Sequence, residues 1–145
     1  MSLSLSARVF LERAEAFHRS AELLGDDPPD RLYAPAVGLL AVHSSISMTD
    51  ALLIQFDTGR SKSEDHATAA QALEKLCSAK GHDKSGVKHL RELIRNKTRF
   101  SYGEALVRDE EFKKAKLRME QFFKWAYRTF PAVAQTEEES DAQPI

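Results

Sequence analysis

The segment from Tyr33 to Phe56 limits the folds open to this chain more than any other part of it. At about 100° per residue along a helix, Val37, Leu40, Ala41, Ser44, Met48 and Ala51 fall on one side, and Val42, Ile46 and Leu53 on nearly the opposite side. Between them runs a polar stripe of His43, Ser47 and Asp50, at i, i+4 and i+7. A helix apolar on two sides is a central one, covered by other helices. Its polar stripe is then satisfied internally, or lines a cleft or a dimer seam.

Glycine and proline clusters cut the rest of the chain into pieces of helical length. A first helix is predicted over about Ser4 to Leu24, with Val9, Phe10, Ala14, Phe17, Ala21 and Leu24 recurring at the helical period and Gly25 as a stop. The run from Asp26 to Asp30, with two prolines, is a loop. A third helix runs from about Glu64 to Ala79 behind a Ser63 cap, a fourth from Gly86 to Arg99 with room to continue towards Gly103. The fifth, Asp109 to Phe130, carries Phe112, Ala115, Met119, Phe122, Phe123, Ala126 and Phe130, and Pro131 ends it. No stretch alternates as a strand does. The fold class is therefore all-α, an up-and-down bundle of about five helices in which short connections make neighbours antiparallel. Residues 1–132 form the one bundle domain and 133–145 an acidic tail, which from Gln135 on has almost nothing to bury and is expected to be disordered.

Composition narrows the function classes. At 145 residues and 42% hydrophobic, the chain can bury a core without disulfides or a structural metal. Its single cysteine, Cys77, excludes a disulfide framework and a cysteine-based metal knuckle, and reads as a packed thiol in a reducing compartment. No uninterrupted apolar run approaches the roughly 18 residues of a membrane span, and no secretory leader is visible, so the expectation is a cytoplasmic domain without a membrane partner. Phosphate-loop, dinucleotide and nucleophile-elbow motifs are missing. No metal-ligand spacing involves His43 or Asp50, and neither a metal nor a cofactor is expected. His82 and His89 read as solvated; Asp65 favours the start of the third helix and His66 its surface.

A net charge of −1 conceals a strong asymmetry. From Lys84 to Arg128 there are thirteen basic and six acidic residues, a local balance of +7, while Glu137, Glu138, Glu139 and Asp141 make the end acidic. On the fourth helix Val87, Leu90 and Ile94 form the apolar stripe, and Lys88, Arg91, Arg95, Arg99 and Tyr102 share another face. Cations so placed repel one another unless an anion or carboxylates from a neighbouring element sit among them. With Phe100 and Tyr102 interleaved, the face suits phosphates and a stacked base; taken by itself, such a charge run reads first as a solvated helix face.

Several stretches together resemble a known family. These are Ala41-Val-His-Ser-Ser-Ile-Ser-Met-Thr-Asp-Ala-Leu-Leu53, Gly59-Arg-Ser-Lys-Ser-Glu-Asp-His66, Arg95-Asn-Lys-Thr-Arg-Phe-Ser-Tyr-Gly103, Arg108-Asp-Glu-Glu-Phe112 and Gln121-Phe-Phe-Lys-Trp-Ala126. Over roughly residues 5–130 the chain is similar to the HEPN superfamily of small prokaryotic helical domains. The resemblance implies a bundle of four or five helices that often dimerises, and in many members a metal-independent ribonuclease, frequently a toxin paired with a nucleotidyltransferase antitoxin. The site it implies is an arginine followed four to six residues later by histidine, in one branch continuing to a tyrosine. The arginine stabilises charge on phosphate and the histidine moves the proton. Here Arg95 and Tyr102 match, but Phe100 stands in the histidine's place and cannot carry a proton. Another branch, generally lacking that histidine, has a lysine shortly before Tyr-Gly, which matches Lys97 and Tyr102-Gly103.

The resulting expectation is a cleft between the second and fourth helices. Arg95, Tyr102 and His43 are its candidate catalytic residues, and Ser47, Asp50, Lys97 and Arg99 its ligand-binding residues. It serves an RNA- or nucleotide-binding homodimer, catalytically degenerate, from a toxin–antitoxin or defence setting. The alternatives are an active metal-independent ribonuclease using His43 or Tyr102, and a domain that only dimerises or binds a partner protein.

Overall fold

The computed structural model describes residues 2–25, 31–57, 66–103 and 106–134, with residues 31, 66 and 67 in backbone only. The Ser63 cap, Asp65, the side chain of His66 and the tail from Gln135 lie outside the described residues. Among the described residues there is no strand. The described residues form six α-helices: α1 Leu5–Gly25, α2 Ala34–Phe56, α3 His66–Lys80, α4 Val87–Arg95, α5 Lys97–Tyr102 and α6 Asp109–Thr129, with a 3₁₀ turn at Arg31–Tyr33.

α2 is the axis of the bundle, packed against the five other helices, half-covered at Pro35, Ala36, Leu39, Leu40 and His43 and buried at every position from Ser44 to Leu53. Three of its buried hydroxyls bond within the helix: Ser44 and Ser45 donate to the Ala41 carbonyl at 3.0 Å, and Thr49 to that of Ser45 at 2.8 Å. Ala34–Phe56 is long enough and, at a mean hydropathy of 1.5 in its most apolar window, apolar enough to cross a membrane, the serines having concealed it as a continuous run. Of that window 78% is buried inside the bundle, which is the environment of a core helix.

α1 lies antiparallel along α2, as contacts between Ser4 and Gln55 and between Phe17 and His43 show. Ser4 caps it, its Oγ accepting from the Ala7 amide at 3.1 Å. The buried positions are Ala7, Leu11, Ala14 and Ala21, so the predicted stripe is turned. Phe10 and Phe17 are half-buried, while Val9 and Leu24 face solvent. Alanines on the inner face let two helix axes approach closely, and the larger side chains flank the seam.

The order is not a plain up-and-down run. Contacts of Arg91 with Glu74 and of Arg118 with His89 set α3 against α4 and α4 against α6 antiparallel. Lys80 at the end of α3, however, sits over Phe56 at the end of α2, and the Phe56 ring lies tilted against that of Phe130 beyond α6. Three helix C-termini therefore converge. α3 closes with a Schellman cap: Gly81 has φ +70°, the His82 amide donates to Cys77 and the Gly81 amide to Ser78. Cys77 is buried, and burial pushes its thiol up. His82 is half-buried with its ring edge on Phe130, not solvated.

All seven apolar positions predicted for the last helix are buried, as is Val133 just beyond it. The loop before α4 is held by Trp125, whose indole N–H donates to the Asp83 carbonyl at 2.9 Å. Gly86 meets that ring so closely that a Cβ would lie 2.1 Å from it. Gly86→Ala is therefore expected to cost about 1–3 kcal/mol in urea denaturation and to shift Trp125 emission. An unchanged midpoint would show that the ring has room to move.

Candidate functional site

The predicted fourth helix is two helices. At Asn96 (φ −93°, ψ 1°) the amide bonds to Leu93 and the side-chain amide donates to the Glu92 carbonyl at 3.0 Å, so the side chain competes for the helix's own acceptors and breaks the ladder. The break re-aims the next turn, α5, against α2. There Phe100, only 7% exposed, lies on the backbone of Gly38, where a Cβ would come within 2.5 Å of its ring.

Phe100 lines two cavities at once. The first, of about 450 Å³, opens between the N-terminal half of α2 and α5, with Pro35, Ala36, Leu39 and His43 on one wall and Lys97, Phe100, Ser101 and Tyr102 on the other. His43 is half-buried, its ring 6.4 Å from that of Phe17. Tyr102, 82% exposed, stands at this cavity with its ring in solvent.

The second cavity, of about 310 Å³, lies between α4, α5 and α6, lined among others by Glu92, Arg99, Glu111, Lys114 and Arg118. It is filled with ion pairs. Glu92 binds Arg118 at 2.7 Å and Lys114 at 3.2 Å; Glu111 binds Arg99 at 3.0 Å and Arg108 at 3.3 Å. Arg99 also donates to the Leu106 carbonyl at 3.0 Å. The Arg99 hydrogen bond holds the Glu111 carboxyl below its ordinary range. Burial, and then Arg118, lower His89, whose Nδ1 lies 3.2 Å from an Arg118 nitrogen; the expected solvated histidine is thus half-buried. On the outer side of α4, Arg91 pairs with Glu74 of α3 at 2.6 Å.

The seven residues expected in one cleft are therefore distributed. His43, Lys97 and Tyr102 share the α2–α5 cavity. Arg99 is on the far side of Phe100 in the ion-pair network. Arg95 is exposed, makes no ion pair among the described residues, and lines a smaller cavity of about 250 Å³ at the α3–α4 seam with Ala70, Arg91 and Ile94. Ser47 and Asp50 are buried on α2, Asp50 at 2% exposure, and neither lines the α2–α5 cavity. Leu39 and Ser101 were not anticipated; Leu39 is one turn before His43 on α2, a spacing that would have placed it. Comparison with protein-family models, curated proteins and solved structures gives no match to this chain.

The sign of the Glu111 effect follows from its lowered carboxyl. The network stabilises the fold fully above the ordinary value of 4.5, and that contribution is lost as pH falls through and below it. Thermal melts across this range should show a shallower acid-side loss in Glu111→Gln than in the parent chain. Parallel pH profiles would remove Glu111 from that role.

Proposed function

We propose that this chain is an HEPN-like RNA- or nucleotide-binding module that has lost standard catalysis, and that ligand enters the cavity between α2 and α5. The observation that carries the reading is Tyr102, its ring in solvent at a cavity that also holds Lys97 and His43. An exposed aromatic face stacks any base, an ammonium contacts phosphate, and an imidazole and the Ser101 hydroxyl supply directional hydrogen bonds. The volume suits a small ligand or one unit of a polymer. Phe100, in the position that the resemblance gives to the acid–base histidine, is committed to packing on Gly38. Arg99 is committed to Glu111, while Arg95, exposed at the α3–α4 seam, is the residue this reading assigns to a second phosphate of an extended strand. Cytoplasmic location and a toxin–antitoxin or defence role, with a nucleotidyltransferase as a partner, belong to the same proposal. Homodimerisation does too, and is supported by the exposed Leu23, Leu32 and Tyr33 flanking the α1–α2 connection.

Binding of labelled single-stranded RNA, followed by anisotropy, tests this. Affinity should fall with salt, and Lys97→Ala should weaken binding and flatten the salt slope by about one phosphate contact. Tyr102→Ala should cost about 1–3 kcal/mol, roughly 5- to 150-fold, with Tyr102→Phe nearly unchanged. Salt-insensitive binding, or variants equal to the parent chain, would refute the assignment.

A second reading rests on His43 sharing the cavity with Tyr102. In an active metal-independent ribonuclease His43 would move the proton. RNA cleavage in EDTA that is abolished by His43→Ala would establish it; intact RNA at high protein concentration would dismiss it.

A further inference from the structure

Away from the α2–α5 cavity, three metal-ligating side chains meet at the seam of α1 and α6. His18 and Glu22 lie one turn apart on α1, and Glu120 reaches them from α6. His18 Nε2 is 3.1 Å from Glu120 Oε1, and one donor atom from each of the three lies within 4.8 Å of the others. All three are half-buried. We propose that His18, Glu22 and Glu120 form a binding site for a divalent transition metal ion of the Zn²⁺ class.

The separations suit such an ion. Bonds of about 2.0–2.2 Å to an imidazole nitrogen and a carboxylate oxygen hold the two donors about 3–3.5 Å apart, and the observed spacing is already there. Glu22 then needs only a side-chain rotation, which a seam that leaves it half-buried permits. The imidazole is fixed beforehand: its ring stacks on Phe123 at 4.2 Å with 15° between the planes, so Nε2 is held towards α6. The donor set selects the class of ion. One nitrogen and two carboxylates suit Zn²⁺, Mn²⁺ or Fe²⁺, while the imidazole disfavours Mg²⁺ and Ca²⁺, which take oxygen ligands. Three protein ligands leave a position open to water or to a further ligand. The ion would join α1 to α6 and stabilise the fold by mass action.

Calorimetric titration of the tag-free, chelator-treated chain with ZnCl₂, paired with thermal melts, tests the site. Saturable binding of one Zn²⁺ per chain is expected, raising the melting temperature by several degrees and surviving millimolar Mg²⁺. Glu22→Gln should keep the fold and the His18–Glu120 contact yet weaken binding by at least about tenfold, and Glu120→Gln should do the same. Loading with Co²⁺ should give visible bands without the intense thiolate band that Cys77 ligation would bring. No saturable binding, equal affinity in Glu22→Gln and Glu120→Gln, or a thiolate band would each overturn the proposal. These readouts do not depend on RNA, so this assignment and that of the α2–α5 cavity stand or fall separately.

Discussion

The contact between the Phe100 ring and the bare backbone of Gly38 decides where this molecule places its chemistry. Gly38 sits on a helix covered by all the others, and the missing side chain is the only reason an aromatic ring can lie directly on it. The ring anchors α5, a helix of six residues that has too few internal hydrogen bonds to persist unaided. Anchored there, α5 turns Lys97, Ser101 and Tyr102 towards α2 and leaves Arg99 facing α6. One packing contact thus splits what would have been a single basic helix face into two sites of opposite character.

Their characters differ because of where carboxylates arrive. Facing α6, Glu111 and Glu92 each meet two cations, so the cations there are engaged in ion pairs that hold the cavity's geometry. Exposed pairs of this kind contribute little individually, but a shared carboxylate restricts several long side chains at once. An incoming phosphate would have to displace bonds already made. Facing α2, the wall opposite Lys97 and Tyr102 is Pro35, Ala36, Leu39 and His43, with no carboxylate among the lining residues.

Much of the scaffold was legible because helical periodicity and glycine–proline punctuation are local signals. The central position of α2 and the buried face of α6, Trp125 excepted, follow from residue spacing alone. The seam of α1 with α2 was less so, since on a face lined with alanine the large apolar residues that mark a stripe lie at its edges. The α4–α5 break turns on a single asparagine side chain competing for a carbonyl, which a hydrophobic pattern does not register. Convergence of Phe56, Lys80 and Phe130 depends on how α3 crosses α2 and has no local signature at all.

The candidate site was legible as a set of residue types and not as a set of neighbours. His43, Lys97 and Tyr102 were grouped on the supposition that a polar stripe on a central helix faces a cleft, and the structure brings those three together. The same supposition included Ser47 and Asp50, yet one and two turns further along α2 the helix is already covered. Only the exposed end of such a stripe, beside a short helix that cannot cover it fully, leaves polar groups open to a ligand. Arg99 shows the converse. Its partner Glu111 is twelve residues away and belongs to the acidic first turn of α6, where the helix dipole also favours a carboxylate. A charge that serves one helix terminus is thereby also the counter-ion of a neighbour. The excess of +7 between Lys84 and Arg128 already counts Glu92 and Glu111, so it rests on cations outside their ion pairs, the exposed Arg95 among them.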